Sequence, residues 1–339
     1  MKFTLVTTCL NEMSSFPRWQ GDVSAQTRQP DEIVIVDAES TDGTRERLLG
    51  WAGKDPRVRV RIERCSVARG RNIAVEMAAY DHIVSTDMGV RLSPQLFEEI
   101  VRPFELDESV EVVAGASAID ADSVASPAAR AEYYIESGGV TKLGPGFVVL
   151  NRSVAYKKRV YEELGGLPED LTRAADDSVF GRQVLQAGYS MAFAPTAMVY
   201  WQRPKRLRDF WRETAGYGFG DGEAAIKMPF AFRLHLRGLI PATLVPFLTG
   251  CRLFQSHVRW RAIRNALASR DLVALLYFAP LLFGRGYYFG KSYVRGYERG
   301  KQHCTDCRNR LARGRQHGVM DDRMTQVVDP VASTRKKNV

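Results

Sequence analysis

The strongest constraint on the fold lies in the first 120 residues, where short apolar runs alternate with helical stretches. The runs at 3–9, 32–37, 58–62, 82–86 and 110–116 are rich in Val and Ile, as strands buried on both faces of a mainly parallel sheet must be. Helical stretches occupy 16–28, 41–51, 68–79 and 94–104, with turn residues at Gln29-Pro30-Asp31 and Asp55-Pro56. This repetition predicts a doubly wound, mainly parallel α/β sheet flanked by helices. Residues 117–150 read as irregular, with Gly138-Gly139 and Gly144-Pro145-Gly146 marking loops. Helices are then expected over 153–164 and 177–187, and a strand over 190–200.

Composition narrows the class. With 45% hydrophobic and 26% charged residues over 339 positions, a disordered or collagen-like chain is excluded. Five cysteines, an odd number irregularly spaced, exclude a disulfide scaffold and fit reduced thiols. One C-x-x-C, Cys304 to Cys307, has no second pair, so structural zinc is not expected. The apolar run at 3–10 is too short for a secretory signal and meets Asn11 and Glu12 at once, so export is not expected.

The last third has a different character. Residues 238–251 and 272–284 carry no charge, and 252–270 between them hold five arginines and no acid. As helices these stretches would reach about 20 Å, short of the roughly 30 Å hydrocarbon core, and Pro241, Pro246 and Pro280 interrupt them. A spanning hairpin would also put the arginines on the wrong side. The pattern therefore predicts a helical region at 233–301 lying on the inner leaflet of a membrane, in contact with anionic lipids. Beyond it, 302–339 reads as a flexible basic tail: from 291 onward there are 12 Lys/Arg against 5 Asp/Glu, a surplus of 7 out of the net +9.

Three segments carry candidate chemistry. Strand 32–37 ends in Asp37, followed by Ala-Glu-Ser-Thr-Asp-Gly-Thr; a carboxylate at the C-terminal end of a parallel strand sits where α/β sheets bind ligands. Ala68-Arg69-Gly70-Arg71-Asn72 opens a helix, and strand 82–86 ends in Asp87-Met88-Gly89. An Asp there can hold a hard divalent cation against a diphosphate, with arginines neutralising phosphate charge. Asp176-Asp177 opens a further helix, where the dipole favours carboxylates and one can act as general base. No G-x-G-x-x-G follows the first strand and no P-loop motif occurs.

Taken in order, Cys-Leu-Asn-Glu, VDAESTDGT, ARGRN, STDMG and the GG-PE…DD helix resemble the family 2 glycosyltransferases, over residues 1–225. The resemblance implies a GT-A fold, with a catalytic domain at 1–232 divided near 116 into a nucleotide-sugar half and an acceptor half. It places Thr8, Asn11, Glu12, Asp37, Arg71, Asn72 and Asp87 at the donor nucleotide, Asp37 reading the base. It places Asp87 on a divalent cation, Mg2+ or Mn2+, and Asp177, with Asp176 beside it, at the acceptor as general base. Gly89 stands where the D-x-D motif has its second Asp, and Trp201 where many relatives carry His. The D-x-G variant is similar to a branch acting on cell-surface polysaccharides. The absence of Q-x-x-R-W at 202–206 points to transfer of single residues.

The expectation is an inverting glycosyltransferase at the cytoplasmic face of the membrane, moving sugar from a nucleotide-sugar donor to a saccharide or lipid-linked saccharide acceptor, with no nucleic-acid partner. The competing readings are a catalytically weak nucleotide-sugar-binding scaffold, suggested by Gly89, and a nucleic-acid-binding protein using the basic C-terminus.

Overall fold

The computed structural model describes residues 1–140, 148–172, 174–257 and 260–316. In chain order the first elements are β1 (Thr4–Cys9), α1 (Phe16–Ser24), β2 (Glu32–Asp37), α2 (Thr44–Ala52), β3 (Val58–Ile62), α3 (Val67–Met77), β4 (His82–Thr86), β5 (Val90–Leu92) and α4 (Leu96–Leu106). Next come β6 (Val112–Ile119), α5 (Pro127–Ile135), β7 (Ser153–Lys157), α6 (Lys158–Glu163), α7 (Asp176–Ala187), β8 (Met191–Trp201) and α8 (Leu207–Glu223). The helices α9 (Phe230–Leu236), α10 (Val245–His257), α11 (Trp260–Ala268), α12 (Leu272–His303) and α13 (Thr305–Gln316) complete the described chain.

The sheet has the order β3-β2-β1-β4-β7-β6-β8-β5. Its parallel pairs are β1–β2, β2–β3, β1–β4 and β6–β8, while β7 and β5 run antiparallel to their neighbours. The parallel-dominated sheet expected from the sequence is therefore present. Alternation of side chains fills two layers. Phe3, Leu5, Ile33 and Ile35 pack with Trp19 of α1 and Phe97 of α4 on one face. Val6, Val34 and Val36 pack with Ile73 of α3, Tyr156 and Phe180 on the other.

Register positions the chemistry. Cys9 pairs with Asp37, and Val6 with Ser85, so the ends of β1, β2 and β4 come level and Asp87 follows beside Thr8. From the opposite direction Ser153 pairs with Thr86. Arg152, just before β7, thereby meets the chain just after β4.

Two expectations need correction. Residues 153–157 are a strand, not the start of a helix. Val154, Ala155 and Tyr156 find ladder partners on both β4 and β6, and this pairing overrides local helix preference. The stretch expected to be irregular contains α5, with Pro127 in its first turn and Ser126 accepting from the Ala129 N–H, a regular N-cap arrangement.

The C-terminal region also differs. The apolar stretch at 272–284 is part of α12, one helix of 32 residues that continues through Pro280, so the length argument against spanning does not hold for it. By length and composition α12 is the one helix among the described residues able to cross a membrane, with a third of its apolar window buried. That buried side packs Ala274, Phe278, Leu281 and Leu282 against α5, Phe210 of α8 and α11. Residues 302–316, expected as tail, include α13: Cys304 and Cys307 are buried with Leu171 and Ala175, and Arg310 donates to the carbonyls of Leu164, Gly165 and Gly166. The rest of the expected tail, 317–339, lies outside the described residues.

Glycines set how closely α12 meets α8. A Cβ on Gly296 would sit on the Phe219 carbonyl, one on Gly222 on the Tyr293 carbonyl, and one on Gly218 on the Phe289 carbonyl. Gly296→Leu should splay the pair and lower stability by about 1–3 kcal/mol, the usual range for overpacking. Thermal melts check this against Gly21→Ala, where a Cβ meets nothing within 4 Å; an unchanged Tm for Gly296→Leu would contradict the packing account.

Candidate active site

Two cavities, of about 590 and 530 Å³, open at the C-terminal edge of the sheet, where open α/β sheets bind ligands. They share a wall that includes Arg71, Asp87, Arg152, Trp201, Arg203 and Tyr217. The first is lined further by Thr8, Cys9, Glu12 and Gly89, the second by Asp176, Asp177, Asp221 and Lys227.

Asp37 is fully buried and lines neither cavity; its strand partner Cys9 and its chain neighbour Ala38 line the first. Its Oδ1 accepts from the Ser40 N–H at 2.8 Å, while Oδ2 is buried with no partner. A buried carboxylate oxygen left free is costly. Thr8 donates its hydroxyl to the Val36 carbonyl at 2.9 Å and lines the cavity. Asn11, at φ 56°, does not line it. It ties two loops together, accepting from the Thr41 N–H at 2.9 Å and donating its own N–H to the Ser40 Oγ at 2.7 Å.

Glu12 occupies the space that Gly89 leaves open. Both its carboxylate oxygens lie 3.8 Å from where a Cβ on Gly89 would be. Burial raises the Glu12 pKa, a hydrogen bond from Ser15 opposes that, and the Asp87 and Asp42 charges add to the rise.

Arg71 joins the two cavities. Its guanidinium donates to Asp87 and to Asp176, each at 2.7 Å. Burial would lower its pKa, but Asp176 and Asp87 outweigh this and push it up, so the charge is permanent. Asp176 is thereby engaged, whereas Asp177 has no ion pair among the described residues. Burial raises the Asp177 pKa, the Asp176 charge adds to it, and Arg71 pulls it back in part. Ala175 precedes the pair at φ 78°, ψ −5°, a left-handed conformation unfavourable for a residue with a Cβ. It turns the chain so that both carboxylates open α7.

Asn72 departs from its expected place. It is buried and lines neither cavity. Its Nδ2 donates to the Leu167 carbonyl at 3.0 Å and to Glu169 at 2.6 Å, and its Oδ1 accepts from the Leu167 N–H at 2.9 Å. It fixes the loop leading to α7. The side chain is too short to do this and reach the cleft.

Sequence reasoning missed several cavity residues. Asp221 is buried, 3.3 Å from the Lys227 Nζ, which also donates to Ser178 at 3.1 Å; burial pushes its pKa up to about 6. The available signal was Gly218, Gly220 and Gly222 in a helical run: glycine weakens a helix and calls for a packing reason. Arg152 carried no signal in the sequence; only the β4–β7 register brings it here. Among the described residues no group of three or more His, Cys, Asp or Glu is arranged to hold a metal.

Comparison with known proteins gives the following. Residues 2–215 match the family described as "Glycosyltransferase like family 2". The O-antigen chain rhamnosyltransferase WbaN of Salmonella anatum is 28% identical over 208 residues, 58% of this chain and 65% of that protein. The chain thus spans just under two thirds of the length of that relative. The succinoglycan biosynthesis protein ExoA of Rhizobium meliloti is 26% identical over 270 residues, 76% of this chain and 79% of that one. Among solved structures, the mannosyltransferase PcManGT of Pyrobaculum calidifontis, in complex with GDP-Man and Mn2+, superposes with a TM-score of 0.53 at 19% identity, covering 84% of this chain and 85% of that one. That likeness concerns the fold.

Proposed function

The chain belongs to the glycosyltransferase-like family 2, and we propose that it is an inverting glycosyltransferase that moves a sugar from a nucleotide-sugar donor to a hydroxyl of a cell-envelope or lipid-linked saccharide. The observation that carries this reading is the Asp177 carboxylate, which has no ion pair among the described residues, in a cavity that shares a wall with the one lined by Thr8, Glu12 and Asp87. The relatives named for O-antigen and succinoglycan support the acceptor class.

In this reading the first cavity takes the donor and the second the acceptor. Asp37 Oδ2 receives an N–H of the base, which requires the wall at Cys9 and Ala38 to open, since Asp37 is fully buried. Asp177 removes the proton from the acceptor hydroxyl, whose oxygen attacks the anomeric carbon. The bond to the nucleoside diphosphate breaks on the opposite side, which inverts the centre, and the proton ends on Asp177. Arg71 holds Asp176 in place and so leaves Asp177 as the base. A divalent cation fits the oxygen donors present: Asp87, 38% exposed, and Glu12 beside Gly89 would hold it, since Mg2+ commonly uses one or two carboxylates with phosphate oxygens. Its contribution when bound is to neutralise charge on the leaving diphosphate.

We further propose that the C-terminal helices lie on the cytoplasmic face of a membrane. Leu272, Val273, Leu276, Ala279, Pro280 and Phe283 are all exposed, at the spacing of one helical face. On α10 and the turn before it, Leu244, Phe247, Leu248 and Cys251 form a second exposed apolar stripe. Arginines 252, 261, 264 and 270 lie close by in sequence. Lying is preferred to spanning because the other face of α12 is packed on α5 and α8.

The test of the activity is a thermal-shift screen of nucleoside diphosphates with Mn2+ or Mg2+, followed by release of free sugar from the matching nucleotide sugar. Stabilisation by at least one diphosphate, through mass action, and metal-stimulated hydrolysis are expected. Binding without hydrolysis or transfer would leave a scaffold; binding to none would overturn the reading.

A further inference from the structure

We propose that the Arg152 guanidinium binds the diphosphate of the donor and supplies positive charge there beside the cation that Asp87 and Glu12 would hold. The assignment rests on reading the first cavity as the donor site.

Three cations stand on the wall shared by the two cavities. Arg71 is held by Asp87 and Asp176. Arg203 is held by Glu132 and by Glu213. Arg152 makes no ion pair with any described carboxylate. Its guanidinium lies over the Trp201 ring, 4.4 Å from the centroid, a stacking that holds it flat while leaving its N–H groups free at the edge. A planar guanidinium with free donors in a cleft is suited to bidentate contact with phosphate.

Its backbone is held as firmly as its ring. Thr86 donates its hydroxyl to the Arg152 carbonyl at 2.9 Å, and Ser85 donates to Asn151 Oδ1 at 2.9 Å. The β4–β7 register then sets Arg152 across from Asp87. The two positions where the chain offers no metal ligand, Gly89 and Trp201, both flank this point: Gly89 lines the same cavity, and Trp201 supplies the platform. The aromatic ring and the arginine thus act together, and the pair supplies a fixed positive charge where leaving-group charge develops.

The test is titration calorimetry with ADP, CDP, GDP, UDP and dTDP and with the corresponding nucleosides, in EDTA and in Mn2+, on wild type, Arg152→Ala and Arg152→Lys. Arg152→Ala should weaken the preferred diphosphate by about 10- to 100-fold, the worth of a charge-assisted hydrogen bond. Affinity for the nucleoside should be unchanged, and the loss should be greater in EDTA. Arg152→Lys should recover part of it. Trp201→Ala, which removes the platform, should move diphosphate affinity in the same direction. Equal diphosphate affinity in wild type and Arg152→Ala, or an equal loss for the nucleoside, overturns the assignment and leaves the donor-site reading standing. A wild-type protein that binds none of the diphosphates overturns both.

Discussion

Asp177→Asn should lower the transfer rate by about 10²–10⁴, the range for removal of a general base, and should raise the melting temperature at neutral pH. The two effects share one cause. Burial and the neighbouring Asp176 disfavour the ionised form of Asp177, so its folded pKa lies above its unfolded value. A group of that kind favours the fold fully below its unfolded pKa, and the contribution is lost as pH rises through the folded value. At neutral pH the ionised carboxylate opposes folding; Asn keeps the size and cannot ionise.

Rate and stability should therefore move in opposite directions with pH. Wild-type turnover rises as Asp177 ionises, with its acid limb above that of an unshifted aspartate, while wild-type Tm falls relative to Asp177→Asn across the same window. Asp176→Asn is the informative contrast, because it removes a partner of Arg71 and should lower Tm. Donor affinity of Asp177→Asn, read by calorimetry, should match wild type. Full transfer activity in Asp177→Asn would remove Asp177 from the mechanism, and a lowered Tm would refute the electrostatic account.

The first 90 residues were legible because their physics is local. Each apolar run of the first 90 residues becomes a strand within a residue or two of its expected bounds, since a strand covered on both faces has little choice of composition. The candidates Asp37, Asp87 and Asp177 could be singled out for a related reason: each stands where an element begins or ends, a position that sequence marks, and of the three Asp87 and Asp177 line the cavities. What was not legible depends on pairing across the sheet. Nothing in Ser153–Lys157 distinguishes a strand from a helix until β4 and β6 stand on either side of it, and Arg152 is carried into the cleft by that pairing. Asn72 shows the converse. It adjoins Arg71 in sequence, yet successive helical residues point about 100° apart, so one enters the cleft and the other clamps the loop at Leu167. Likewise α12 exceeds its uncharged core, because glycines rather than apolar residues bind its second half to α8.

Replacing Phe247, Leu272 and Leu276 together by Ser should lower partition onto anionic vesicles by about 10²–10³-fold. Full burial of one such side chain contributes about 1.5–3 kcal/mol, and these are 51%, 63% and 74% exposed in the free protein. About half of that gain remains to be made by each, and three together reach the stated factor. Leu272 and Leu276 are mostly exposed, so the variant should lose only the part of its Tm that rests on the half-buried Phe247 and its ring contact with Tyr287, and should still hydrolyse a soluble nucleotide sugar at the wild-type rate. Vesicles of phosphatidylglycerol should bind the wild type more tightly than phosphatidylcholine, and high salt should narrow the difference, as the arginines between the apolar stretches require. Cosedimentation measures the partition, its lipid preference and its salt dependence. A triple variant that binds as well as wild type would mean that the exposed stripe does not meet lipid. Wild-type protein that resists carbonate extraction from membranes would mean that α12 spans the bilayer, and its packed face on α5 and α8 would then have to open on insertion.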